Sequence, residues 1–235
     1  MNKFIFDVDG TLTPSRGIMS PKFKSFFLDF CKSNDVYLVT GSDKPKTIEQ
    51  IGKDIYNNCV RVYNCNGNDV WEGEVNVRQN KWILPETAQE WLSEQLSASA
   101  FPLRTGLHFE HRPGMCNFSI VGRNADKIER AKYVTWDTEY NERDLIAHNF
   151  NLIFTELDAK VGGETGLDIS PKGMDKSQIK KDFDPEDVLW FFGDSMDEGG
   201  NDYPLAKIVH HHRAISHWGN TLEYLQWFQE QGIAN

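Results

Sequence analysis

The sequence has no surplus of basic residues: 25 Lys and Arg stand against 35 Asp and Glu, for a formal net charge of −10. That balance excludes a general affinity for nucleic acid or for an anionic membrane surface, since both need excess positive charge. It leaves room for a phosphorylated small molecule, because a metal ion and a few arginines make one pocket positive inside an acidic protein. No apolar run approaches the roughly 18 residues that a membrane-spanning helix requires. The first residues run directly into a strand-like segment, without the basic stretch and apolar core of a secretion signal. The four cysteines, Cys31, Cys59, Cys65 and Cys116, form no C-x-x-C pair, which argues against a zinc site or a redox couple. Packed, reduced thiols and a cytoplasmic location are the expectation. Low-complexity stretches and internal repeats are also missing.

What is present is a chain of 235 residues, long enough for a sizeable core in one large domain or two smaller ones. Residues 3–8 (KFIFDV) predict a short buried strand that stops at the turn DGTLT. Phe23, Phe26, Phe27 and Phe30 recur at helical intervals over residues 21–33, with Ser20 as N-cap and Pro21 in the first helical position. Residues 36–39 (VYLV) predict a second strand running into TGSD, which caps a helix over 46–55. A third strand over 60–63 closes at NCNGN. This alternation predicts a parallel sheet with helices on both faces, whose ligands lie outside the carboxyl ends of the strands.

The order changes from about residue 79 to residue 173. There the pattern predicts a helix over 85–96, strands over 108–110 and 115–121, a helix over 124–140, and strands over 152–156 and 167–169. The βα order then resumes, with a helix over 175–181, a strand over 188–192, a strand over 208–210 and a helix over 221–231. The fold class is therefore α/β: a Rossmann-like parallel sheet built by residues 1–80 and 174–235, with an inserted α+β domain over 81–173 made of an antiparallel sheet plus helices.

Chemistry concentrates at the strand ends. In DVDGT, Asp7 and Asp9 stand two residues apart, a spacing that puts both carboxylates on one side of an extended chain. Asp7 can attack phosphorus as a nucleophile, and Asp9 can serve as general acid and base. A chance acidic turn is the plain alternative. GDSMDEGGND adds Asp194, Asp197 and Asp202 after another strand. With Asp7, the carbonyl of Asp9, Asp194 and Asp202, the chain offers the hard oxygen ligands that Mg²⁺ prefers. Lys176, just ahead of that strand, can neutralise a transferring phosphoryl group; alone it is an ordinary solvated lysine. Thr40 and Ser42 supply hydroxyls, and the TGSD amides can form an anion-binding helix start or simply a cap. His210, His211 and His212 are consecutive on a strand, so their side chains alternate and do not converge on one ion.

These elements in this order resemble the haloacid dehalogenase superfamily of phosphatases and phosphomutases. DVDGTLTPSR, TGSD, the NGN turn, RPGMCNFSIVGR, the helix carrying Arg130, GLDISPKGMDK and FFGDSMDEGGND narrow the resemblance to its eukaryotic-type phosphomannomutase family, over nearly the whole chain. The resemblance implies a core domain, a mobile cap domain and a sugar phosphate held between them. It also implies Asp7 as nucleophile, Asp9 as acid/base, Asp194 completing the Mg²⁺ site and Lys176 as the core lysine. Arg112, Arg123 and Arg130 would hold the substrate's phosphate and sugar, Asp168 the sugar hydroxyls, and Arg16 would lie near the catalytic loop. Either a sugar hydroxyl or water can receive the phosphoryl group, making the enzyme a mutase or a phosphatase. The family likeness also implies a homodimer formed through the cap, with Leu107 and Phe109 near the edge strand.

Overall fold

The computed structural model describes residues 1–15 and 17–235. In chain order the elements are β1 (Asn2–Phe6), α1 (Pro21–Ser33), β2 (Val36–Val39), α2 (Lys44–Ile51), α3 (Lys53–Asn58), β3 (Arg61–Asn64), β4 (Asp69–Glu72) and β5 (Val75–Gln79). There follow α4 (Glu86–Ala98), β6 (Phe109–Arg112), β7 (Met115–Phe118), α5 (Lys127–Tyr140), α6 (Glu142–Ile153), β8 (Leu157–Gly162) and β9 (Gly166–Pro171). A 3₁₀ turn (Lys176–Asp182), β10 (Val188–Gly193), α7 (Tyr203–Ala206), β11 (His211–Ala214) and α8 (Trp218–Glu230) complete the chain. Two compact units result: Met1–Gln79 with Gly173–Asn235, and Asn80–Lys172.

The first unit holds a sheet in the order β11-β10-β1-β2-β3-β4-β5, parallel from β11 to β3 and antiparallel beyond. Strand alternation divides its core in two. Phe4, Phe6, Val36, Leu38 and Phe192 join the aromatic face of α1 and Leu225 and Phe228 of α8. Ile5, Tyr37, Val39, Tyr63 and Phe191 instead join Ile179, Phe183 and Leu205. Burial on both faces explains why the central strands read as unbroken apolar runs rather than as alternating ones. The second unit carries an antiparallel sheet, β6-β7-β9-β8, with its own core of Leu92, Phe118, Tyr133, Phe150, Leu167 and Ile169.

Several elements differ from the expectation. The helix expected over 46–55 is two helices, α2 and α3, because Gly52 sits at φ 87° between them and breaks the helical path. The expected strand at 152–156 is displaced: α6 runs to Ile153, and the strand is β8. The 175–181 segment winds as a 3₁₀ turn, and the last strand begins at His211, not at Ile208. The β4–β5 hairpin was not expected; β5 (VNVRQ) is largely exposed, and its alternation rests on Val75 and Val77 alone, too short a signal to mark a strand.

Candidate active site

β1 delivers Asp7 to the carboxyl edge of the sheet, where its amide still donates to Phe192 O at 2.9 Å. Asp7 continues the Ile5 side of the strand, the side on which the 3₁₀ turn packs. The turn begins at Lys176, and Asp175 caps it by accepting from Ser177 N at 2.9 Å. Lys176 is 0% exposed. Its Nζ donates to Asp7 Oδ1 at 2.6 Å and to Asp202 Oδ1 at 2.7 Å. Asp202, also 0% exposed, accepts a further bond at Oδ2 from Ser195 N at 3.1 Å. Thr11 Oγ1 lies 3.5 Å from Asp7 Oδ2, and its loop is held by α8, where Thr221 Oγ1 donates to Thr11 O at 2.6 Å.

Asp7, Asp194 and Asp202 each offer a carboxylate oxygen within 4.8 Å of the others. Burial pushes the Asp7 carboxyl well above its ordinary value; Lys176 opposes that shift while Asp202 and Asp194 add to it. Burial likewise raises Asp194, with Asp202 contributing, to about 6. Burial acts to lower the Lys176 value, but Asp202 and Asp7 outweigh it and hold the ammonium's pKa above the usual lysine range. Three crowded carboxylates with one lysine form a negatively biased, all-oxygen donor set, which fits a hard divalent cation such as Mg²⁺. Gly10, at φ 76°, is what permits the approach: a Cβ there would fall 2.0 Å from Asp194 Oδ2.

Asp9 is not part of that trio. The extended run ends at Phe6, so the two-residue alternation does not carry through Val8. Asp9 Oδ1 instead accepts from Gln50 Nε2 at 2.8 Å, and the same nitrogen lies 3.4 Å from Thr13 Oγ1. Gln50, buried on α2, is a residue the sequence reading missed; a glutamine in a helix gives no signal by itself. Its Oε1 has no hydrogen-bond partner among the described residues. Thr40 is buried beside this edge, and its Oγ1 accepts from Ser42 N at 3.1 Å. Asp43 caps α2 by accepting from Lys46 N at 3.0 Å. That amide and the Ser42 amide are therefore already engaged within the TGSD turn.

The second unit brings other expected residues together. Asp168 Oδ1 accepts from Asn117 Nδ2 at 2.6 Å. Arg112 and Arg123 share Glu110, which the sequence reading did not single out. Arg130 pairs with Glu164 at 3.2 Å, and its buried Nη2 has no partner among the described residues. Arg16 lies outside the described residues. The histidines stay apart as expected: His210 Nδ1 accepts from Leu189 N at 3.1 Å, while His211 stacks on Trp190.

The family model described as "Eukaryotic phosphomannomutase" matches residues 23–225. The chain belongs to the eukaryotic phosphomannomutase family. A phosphomannomutase of Dendrobium officinale is 33% identical over 221 residues, covering 91% of this chain and 86% of its own. Among solved structures, IMP-bound IMP-nucleotidase of Plasmodium falciparum gives a TM-score of 0.66 at 15% identity, covering 98% of this chain and 68% of its own. The C-terminal domain of trehalose-6-phosphate phosphatase from C. albicans gives 0.63 at 16% identity, covering 95% and 90%. At such identities these structures speak for the fold, the haloacid dehalogenase α/β core with a second, antiparallel-sheet unit. As a member of this phosphomannomutase family, the chain is an enzyme.

Proposed function

We propose that the chain transfers a phosphoryl group on a sugar phosphate through Asp7, interconverting mannose 6-phosphate and mannose 1-phosphate. The observation that carries this reading is the Asp7 carboxylate, buried and fixed by Lys176 at 2.6 Å beside Asp194 and Asp202. Asp7 is the nucleophile: its Oδ2, free of Lys176, bonds to phosphorus as the bond from phosphorus to the sugar oxygen breaks. Lys176 keeps its proton throughout and offsets negative charge at Asp7 and on the transferring group. Asp9, held by Gln50, protonates the leaving sugar oxygen and later removes the proton from the incoming hydroxyl. Asp202 has both oxygens engaged, by Lys176 and by Ser195 N, which suits it to holding the lysine. Asp7, Asp194 and the Asp9 carbonyl would hold Mg²⁺, with Asp202 close by; when bound, the ion neutralises charge between the carboxylates and the phosphate.

The remaining roles follow from the second unit. Arg112, Arg123 and Arg130 would take the phosphate that is not reacting, and Asp168 a sugar hydroxyl, since arginine's planar fork binds phosphate oxygens bidentately. Thr40 and Ser42 would border the reacting phosphate. The burial of all four cysteine thiols fits the cytoplasm. Leu107, 70% exposed, and Phe109, on the edge strand β6, support a homodimer through this unit. Light scattering at micromolar concentration should then give twice the chain mass, and a monomer mass would remove the dimer.

A phosphorus NMR time course tests the activity. Protein, Mg²⁺ and mannose 6-phosphate are incubated with and without a catalytic amount of glucose 1,6-bisphosphate. Mannose 1-phosphate that forms only with the bisphosphate is the expected result. Free phosphate alone would mean that water is the acceptor and that the chain is a phosphatase.

A further inference from the structure

On the sheet of the second unit, Glu110 pairs with Asn117, Asn117 with Asp168, and Asp168 with Lys160. Residues in one such row share a face. Their neighbours along the strands, among them Cys116, Phe118, Leu167 and Ala159, belong to the apolar core on the opposite face. One face of this sheet is therefore polar from edge to edge, and Glu110 lies at its β6 end.

Glu110 divides its carboxylate between two guanidiniums. Oε1 takes both Nε and Nη2 of Arg112 at 2.7 Å, and Oε2 accepts from Arg123 Nε. Because Arg123 is anchored through Nε, its two Nη nitrogens are left without a hydrogen-bond partner among the described residues. Arg130 repeats the arrangement more weakly, with Nε on Glu164 and a buried, unpartnered Nη2. At Arg123, a carboxylate that takes Nε fixes the plane of the guanidinium and leaves its outer edge for another planar or tetrahedral anion. Burial pushes the Glu110 carboxyl up, but Arg112 and Arg123 overcome this and hold it below its ordinary value, so the anchor stays charged near neutrality.

We infer that Glu110 is a positioning residue that sets the Arg112 and Arg123 guanidiniums for a phosphate group. The inference rests on the sugar-phosphate reading above for its ligand. Two effects of the carboxylate oppose each other. Its charge repels an incoming phosphate, whereas its grip removes the freedom that two long side chains would otherwise lose on binding. Positioning outweighs repulsion here. The substitution Glu110→Gln separates the two, because it keeps the shape and one acceptor while removing the charge and the second strong acceptor.

The test is a titration of the full chain with inorganic phosphate, followed by NMR at the arginine Nε–Hε resonances. The expected result is that Glu110→Gln weakens phosphate binding reported at Arg123 about tenfold and moves that resonance to its solvent-exposed position. In an Arg123→Lys background the same change should cost less than about twofold, because Glu110 acts through Arg123. Equal or tighter binding by Glu110→Gln would overturn the inference and make the carboxylate a competing charge. With hexose monophosphate as substrate, KM should rise about tenfold, while kcat and the turnover of p-nitrophenyl phosphate stay within about twofold. An equal fall for both substrates would mark a structural role and also overturn it. A wild-type chain that turns over no hexose phosphate defeats the functional reading alone, and the phosphate titration still decides the role of Glu110. Should Glu110→Gln fail to fold, Glu110→Asp, which keeps the charge but loses reach, enters the same titration and should also weaken binding.

Discussion

Lys176 carries a charge in the interior because two carboxylates share it, and this sets what single substitutions do. Asp7→Asn leaves Lys176 paired with Asp202, so the variant should fold and bind substrate. It should lose turnover by on the order of 10³-fold or more, as removal of a nucleophile does. Rapid-quench labelling from a radiolabelled sugar bisphosphate should then find no phosphorylated protein. Gln50 acts at one remove. Gln50→Leu eliminates a buried oxygen without a partner among the described residues but also the bond to Asp9, so stability should fall by about 1–2 kcal/mol. It also removes Gln50's hold on Asp9 Oδ1, so kcat should fall roughly tenfold, within the usual range for acid–base contributions, with KM nearly unchanged. Steady-state kinetics on the variant distinguishes this from a binding defect, which would appear in KM.

At the scale of elements, legibility followed the strength of the local signal. Helix α1 was readable because four phenylalanines recur on one face after a Ser-Pro start. The strands that carry Asp7 and Asp194 were readable because burial on both faces makes them continuous apolar runs. Strand β8 was misplaced because Leu152 and Ile153 extend α6 as exposed apolar residues, which from sequence alone look like the start of a strand. The motifs around Asp7, Lys176 and Asp202 were legible, whereas Gln50 and Glu110 were not: each matters through a partner brought near by the fold. The β4–β5 hairpin is held at its end by Arg78, which donates to both oxygens of Asp182 at 2.9 and 2.8 Å. Burial pushes the Asp182 carboxyl up, but Arg78 and Arg61 more than reverse this, so its pKa lies below the ordinary value. The unfolded chain therefore takes up the proton first as pH falls. The stabilisation is complete above about pH 4, the range of an unfolded Asp, and is lost as pH drops through the folded value. Denaturant unfolding should show Asp182→Asn less stable than wild type by about 1 kcal/mol at pH 7, a figure reduced by the solvent exposure of Arg78. The difference should shrink as the pH falls below about 4.

For the molecule as a whole, a net charge of −10 coexists with a crowded carboxylate trio, so a divalent cation should act on stability as well as on chemistry. At one hundred times its dissociation constant, a cation that binds only the folded state adds about 2.7 kcal/mol. For a chain of this size that raises the unfolding midpoint by several degrees, at roughly 2–4 °C per kcal/mol. Thermal unfolding with and without Mg²⁺ should show this rise in the wild type and most of it gone in Asp194→Asn. An equal rise in both proteins would place the ion elsewhere.

The central strand β1 pairs with β10, so residues 2–6 lie against residues 188–192 in the finished sheet. The partner of Asp7 arrives as late: Lys176 is 169 positions further along the chain. A ribosome adding roughly 5–20 residues per second needs about 10–40 seconds to travel from one strand to the other. For that interval this central strand waits with one flank open, and no nascent chain stopped short of Asp202 has a complete reacting centre. A truncated product of synthesis that lacks Asp202 would therefore be both inert and prone to associate, which ties the start of activity to the arrival of that segment.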